Sequence, residues 1–331
     1  MPYEIKQWNQ IADDYRQETI LLGNGASIAV SNQFTYPSLL RRAQELGLLT
    51  NDIVLLFDFF QTNDFELILR LVWQAENVNR SLQIEDRETE RAYISVRECL
   101  IGAVHNVHPQ YEEVSSHLPH LYRFLKTYNT VLSLNYDLLV YWTMAYGFDA
   151  EDGHLFKDCF INGSFDDDWS RFRIPYRESS NTLVFYPHGS LALSRDRFEH
   201  EVKISSSGEG LLDAILRCWR SGNHIPLFVS EGLPEQKVKA IKNSYYLSTI
   251  YREVLQERRT SLTIYGWGFG DQDRHILKQM RSSGIERVAV SVYQGDVDFC
   301  IRAEQVIRSD LGHGVAIDFF DSASPGCWTN A

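Results

Sequence analysis

The 331-residue chain is 44% hydrophobic and 23% charged, an ordinary globular composition that needs neither disulfide staples nor a metal to fold. Its 44 acidic against 32 basic residues give a formal net charge of −12, which argues against a general grip on nucleic acid, whose phosphates would be repelled on average. Five scattered cysteines with no C-x-x-C argue against a disulfide framework and a thiolate zinc site, and no apolar stretch approaches the roughly 20 residues of a membrane span.

The opening MPYEIKQWNQIADDY has no basic region followed by an apolar run, so no signal peptide is read and a cytoplasmic location is expected. The first strong strand is TILL, 19–22, which runs into GNGAS. From 36 to about 126 the pattern is mostly helical. PSLLRRAQELGLL and DFELILRLVWQAENV carry apolar residues at helical spacing, and ETERAYISVRECLIGAVHNV and HLPHLYRFLKTY follow as further helices. This stretch reads as a large helical insertion between two strands. His105 and His108 lie in it at i, i+3 spacing, but no acidic partner has matching spacing, and no metal site is read there.

The next strand is 130–134, ending at Asn135-Tyr136-Asp137, with a helix expected at 138–146. Residues 148–185 read as loops with short strands. LVFYPHGSLAL then carries a strand into a turn at His188-Gly189. IPLFVSEG predicts a strand over 225–230, EQKVKAIKNSYYLSTIYREVLQE one or two helices, and SLTIYGWGFGDQDRHILKQMRSSG a strand, glycine turn and helix. RVAVSVY, VDFCIRAEQVIRSDL and GVAIDFFDS complete the chain as strand, helix and strand.

Strands alternating with helices predict a Rossmann-like α/β fold: a largely parallel sheet with helices on both faces, here as one domain over 1–331 with the insertion at 36–126 inside it. Ligands in such sheets sit beyond the carboxyl ends of the strands. GNGAS, NYD, PHGS and GWGFGDQD all fall at expected strand ends, so one shared site is expected.

Each motif has a plain reading beside a functional one. Gly23 and Gly25 flank Asn24 straight after a strand, which suits either a tight strand-to-helix turn or a phosphate approaching the main chain, with Ala26 and Ser27 adding donors. The third glycine of G-x-G-x-x-G is replaced by Ile28, and no P-loop is present. Asp137 ahead of LLVYW is a good helix N-cap, yet with Asn135 it can also bond ribose hydroxyls or an amide. A lone histidine is usually structural. His188, at a strand end with Gly189 behind it, stands out among the ten as a candidate acid–base group. Gly266, Gly268 and Asp271 form either a capped turn or a bed for an adenosine.

Taken in this order, the motifs resemble the SIR2 superfamily, the sirtuin-type NAD-binding fold. GNGAS resembles its phosphate loop, SLNYD its T-Q-N-I-D motif and PHGS its catalytic H-G. The block over 228–255 is similar to a bacterial branch known as DUF4917. The resemblance implies NAD as substrate, with Asn135 and His188 catalytic. Gly23, Asn24, Gly25, Ala26, Ser27, Asp137, Gly189, Gly266, Gly268 and Asp271 are implied to bind the dinucleotide. The four-cysteine zinc module of the deacylases is absent, so no zinc is expected and protein deacylation is disfavoured. Zinc-free relatives are associated with NAD hydrolysis in anti-phage defence, which implies a homo-oligomer and an ATPase or other defence partner. A non-catalytic NAD or ADP-ribose sensor is the alternative.

Overall fold

The computed structural model describes residues 3–35, 38–206, 210–229 and 234–331. Tyr36, with which the expected insertion begins, and Ser230, the last residue of the expected strand from Ile225, lie outside them. Thirteen strands are present among the described residues: β1 Ile5–Lys6, β2 Thr19–Leu22, β3 Thr130–Ser133, β4 His154–Lys157, β5 Phe160–Ile161, β6 Ser164–Phe165, β7 Ser180–Phe185, β8 Gly189–Asp196, β9 Glu201–Lys203, β10 His224–Phe228, β11 Ser261–Tyr265, β12 Arg287–Val292 and β13 Ala316–Asp321.

Eight of them form one sheet in the order β1-β13-β12-β11-β2-β3-β7-β4, and every neighbouring pair is parallel. Its central strands are buried on both faces, which is why TILL reads as an apolar run and why even Ser261 and Thr263 of the alternating SLTIY are buried. The expected Rossmann-like sheet, flanked by helices, is therefore present. Beside it stands a second sheet, β10-β8-β9-β6-β5, whose neighbours are all antiparallel. The strand expected from Ile225 belongs to this second sheet. Periodicity marks a strand but not its partners. A bulge falls between Pro226 and Leu227, consistent with the missing N–H of proline.

Between β2 and β3 the chain forms the helices Leu39–Glu45, Asn51–Phe60, Phe65–Ser81, Arg87–Val107, Tyr111–Val114 and Leu118–Leu125. Three start at side-chain caps that meet otherwise unpaired amides. Ser38 accepts from Arg41, Asp64 from Glu66 and Leu67, and Asp86 from Glu88 and Thr89. One apolar core cluster runs through the large sheet, the second sheet and the inserted helices. All five cysteines are free thiols. Among the described residues no helix is long and apolar enough to cross a membrane.

Candidate functional site

β11, β2, β3 and β7 are consecutive neighbours in the parallel sheet. GWGFGDQD, GNGAS, NYD and PHGS follow their carboxyl ends in that same order. After β2 the chain builds β3, β4 and β7 to one side, then β11, β12 and β13 to the other, so the winding reverses between β2 and β11. A crevice of about 580 Å³ opens at this reversal. Of the expected residues, Gly23, Asn24, Asn135, Asp137, His188 and Gly268 line it. Phe34, Ser38 and Asn63, from the chain after β2, join them, with Lys237, Trp267, Gln272 and Asp273 on the other side.

The glycine loop does a different job from the one expected of it. Gly23 N–H donates to the Tyr265 carbonyl at 2.9 Å, Gly25 N–H to Gly266 O at 2.6 Å and Ala26 N–H to Gly23 O at 2.9 Å. A Cβ on Gly23 would lie 2.5 Å from Trp267 Cα, and one on Gly25 2.8 Å from Gly266 O. Gly266 has φ +68°, and its Cβ would meet Ala26 N at 2.2 Å. These glycines let the loops after β2 and β11 pack main chain on main chain. Gly25, Ala26 and Gly266 do not line the crevice, because their polar groups and free space are taken up by this packing. Gly23 and Asn24 line the crevice, Gly23 buried and Asn24 exposed, and the Asn24 amide reaches the Phe34 carbonyl at 3.4 Å.

Ser27 is likewise buried behind the crevice wall, where it joins the two polar residues after β3. Asn135 Nδ2 donates to Gly23 O at 3.0 Å and to Ser27 Oγ at 2.8 Å. The carbonyl can only accept, which assigns this amide atom as nitrogen. Asn135 Oδ1, with no protein partner among the described residues, is left as a free acceptor. The Ser27 hydroxyl donates to Asp137 Oδ2, and Asp137 Oδ1 accepts the Leu139 N–H at 2.9 Å. Asp137 thus serves the start of the helix Leu139–Asp149 and also faces the crevice. Burial pushes its carboxyl above the usual range, while the Ser27 and Leu139 bonds pull it back.

His108, from the insertion, supports the same corner. Its Nδ1 lies 2.8 Å from Pro109 O and its Nε2 accepts the Leu138 N–H at 3.0 Å, so the ring is a neutral Nδ1–H tautomer. Burial pushes its pKa down to about 4.

His188 sits where β7 crosses into β8. Its carbonyl accepts the Val229 N–H at 2.7 Å. Gly189 stands outside the crevice. It takes φ +78° because a Cβ would lie 2.2 Å from Leu227 O in β10. The His188 ring is buried, with Nε2 3.1 Å from His275 Nε2 and 3.9 Å from Asp273 Oδ1. Lys237 donates to the same carboxylate oxygen at 2.8 Å. Burial pushes His188 down to about 3; Asp273 opposes this, whereas Lys237 and His275 add to it. Burial also opposes the charge on Asp273, yet His188 and Lys237 hold its carboxyl below the usual range.

Asp273 rather than Asp271 is the acid at the crevice. Asp271 points to solvent, because the turn Asp271–Asp273 is a 3-10 turn that carries the two acids to different sides. Sequence reasoning passed over Lys237, Asp273 and His275. The only signal for them was the D-x-H spacing after the glycine turn; Lys237 had none. His188, Asp273 and His275 are the one group among the described residues whose donor atoms, within 4.8 Å of one another, could share a metal ion. The Lys237 ammonium already occupies that carboxylate, so the group reads as an ionic and proton network.

No curated protein matches the chain. The sequence model of DUF4917, a domain of unknown function, matches residues 20–328, a span that holds all four loops around the crevice, and the chain belongs to that family.

Proposed function

We propose that this protein hydrolyses NAD at the nicotinamide–ribose bond. The observation that carries the reading is the convergence of four loops from adjacent parallel strands on one crevice that holds an amide acceptor, a carboxylate and an imidazole. Its volume of about 580 Å³ lies within the range of clefts that hold ligands of this class. Gly23 and Asn24 would face the pyrophosphate, and Gly268 and Trp267 the adenosine. Asn135 Oδ1 is the free acceptor that would hold a ribose hydroxyl or the attacking water. Asp137 would orient the carboxamide of the leaving base.

In this reading His188 takes a proton from water as the water oxygen bonds to the ribose carbon. The carbon–nitrogen bond breaks and its electron pair leaves on the nicotinamide nitrogen, giving nicotinamide and ADP-ribose. Charge develops on the sugar, so alignment carries much of the rate. Ser27 and His108 act from behind, fixing Asn135 and the turn after β3. No zinc is invoked, and deacylation is disfavoured because the chain has no four-cysteine module.

The burial of His188 favours a second reading, a sensor that binds NAD or ADP-ribose without turnover. A defence role by NAD depletion, a homo-oligomer and an ATPase or other defence partner belong to the same proposal; Leu55 and Phe59 stand exposed on the insertion. Purified protein incubated with NAD should release nicotinamide, and Asn135→Ala or His188→Ala should abolish release with the fold retained. Wild-type release by both variants refutes the assignment. NAD binding without release in the wild type supports the sensor.

A further inference from the structure

The contact between His188 and His275 constrains where the protons of the site reside. His275 Nδ1 lies 3.2 Å from the Gln272 carbonyl oxygen. A carbonyl only accepts, so this Nδ1 carries the hydrogen, and the neutral ring offers a bare Nε2 lone pair. His188 Nε2, 3.1 Å away, must then hold the hydrogen of that contact. Each ring hydrogen of the neutral pair thus has its acceptor, the Gln272 carbonyl for His275 and the His275 lone pair for His188.

The charged and titratable groups facing the pair come from three further elements. Asp273 lies on the turn ahead of His275. Lys237, from the helix Pro234–Lys242, holds the Asp273 carboxylate. The Tyr251 ring packs 6.1 Å from His275. Burial disfavours charge on both imidazoles, pushing them to about 3 and about 4, so near neutrality the pair rests without its third proton. The acceptor that answers the His188 Nε2–H is already in place before the proton arrives, which is the preorganisation a general base needs.

We propose that His275 is the positioning residue for His188, the two imidazoles acting as one base whose gained positive charge is answered by the Nε2–H···Nε2 bond opposite Asp273. The chemistry rests on the NAD-cleavage reading, whereas the pairing does not. As the O–H bond of water breaks, its electron pair forms the bond to the ribose carbon, the carbon–nitrogen bond breaks with its pair leaving on the nicotinamide nitrogen, and the water proton joins the imidazoles. The pair passes from two ring hydrogens to three and from neutral to singly positive. A lone His188 would carry the same charge buried, with one N–H unanswered.

The test is nitrogen-15 NMR of histidine-labelled, ligand-free protein at pH 7, with nicotinamide release measured alongside. The expected spectrum shows His275 as the Nδ1–H tautomer and a through-hydrogen-bond coupling between the two Nε2 nuclei. His275→Leu should lose the coupling and lower kcat by about tenfold to a hundredfold with KM within about twofold, the range of a general-base effect. It should also move the acid limb of the rate profile to lower pH, because the imidazolium loses a neutral acceptor; the lowering effect of His275 on His188 acts only when both rings are charged. His275→Gln, which keeps a side-chain acceptor, should recover part of kcat. Three results overturn the pairing: both resonances visible without coupling, His275 as the Nε2–H tautomer, or one equivalent of cobalt(II) giving a visible spectrum that His188→Ala abolishes. If the wild type releases no nicotinamide, the cleavage reading fails and the spectrum still decides the pairing.

Discussion

Asn135→Asp replaces one atom and reverses one polarity. In the wild type the Asn135 amide nitrogen donates to the Gly23 carbonyl at 3.0 Å and to Ser27 Oγ at 2.8 Å, and the side chain is buried. A carboxylate there places an acceptor against the Gly23 acceptor. It also asks the single Ser27 hydrogen, now given to Asp137, to serve two carboxylates. The Gly23 carbonyl keeps the Ala26 N–H but loses its second donor and faces an acceptor, and the Ser27 bond is contested. At about 1–3 kcal/mol for each buried group left unmatched, the expected loss is about 3 kcal/mol. For a chain of this size that lowers Tm by roughly 4 °C. The sign with pH follows from linkage. The new carboxyl is disfavoured as an anion, so its folded pKa lies above its unfolded value near 4. The penalty is therefore full well above the folded pKa and shrinks as pH falls through it, because the protonated acid again has a hydrogen to donate. Calorimetry at pH 7.5 and pH 5 measures both points. A gap from wild type that stays the same at the two pH values, or one near zero at pH 7.5, refutes the hydrogen-bond assignment of this corner.

Two further outcomes follow from the same geometry. Gly266→Ala forces a side chain onto φ +68° with its Cβ 2.2 Å from Ala26 N, so the variant should lose more than about 2 kcal/mol in chemical denaturation; a loss below 0.5 would mean that the loops do not pack as described. His108 is buried and neutral with a pKa of about 4, below the usual value near 6.5, so its contribution is present above pH 6.5 and lost as pH falls toward 4. At pH 5 the loss through this group is about 2 kcal/mol. His108→Gln should be less stable than wild type at pH 7.5 yet show a shallower fall between pH 7.5 and pH 5, and an unchanged slope would contradict the burial argument.

The central strands of the parallel sheet were legible because burial on both faces leaves apolar runs such as TILL, whereas the two-residue edge strand β1 had no such signal. The helices Phe65–Ser81 and Arg87–Val107 were legible from their apolar period, whereas the caps at Asp64 and Asp86 came from the structure. The position of the four loops at strand ends was legible too, and it is the reason Asn135, Asp137 and His188 line one crevice. The second sheet was hidden, since β8 and β10 look like any other strands until their partners are known. The site was legible only in outline. Gly25, Ala26 and Ser27 share a motif with Gly23 and Asn24, but whether an amide faces a ligand or a neighbouring loop depends on β11, some 240 residues on in the chain.

By itself the amino-acid sequence determined the element types, the α/β class and the loops that gather at the crevice, because hydrophobic period, capping residues and glycine turns act over a few neighbours. Only the tertiary structure decided that Lys237, Asp273 and His275 stand around His188, that Asp271 does not, and that the glycines serve loop packing. Those outcomes depend on pairings between distant segments, where a bond is made or lost by the relative placement of whole strands and helices.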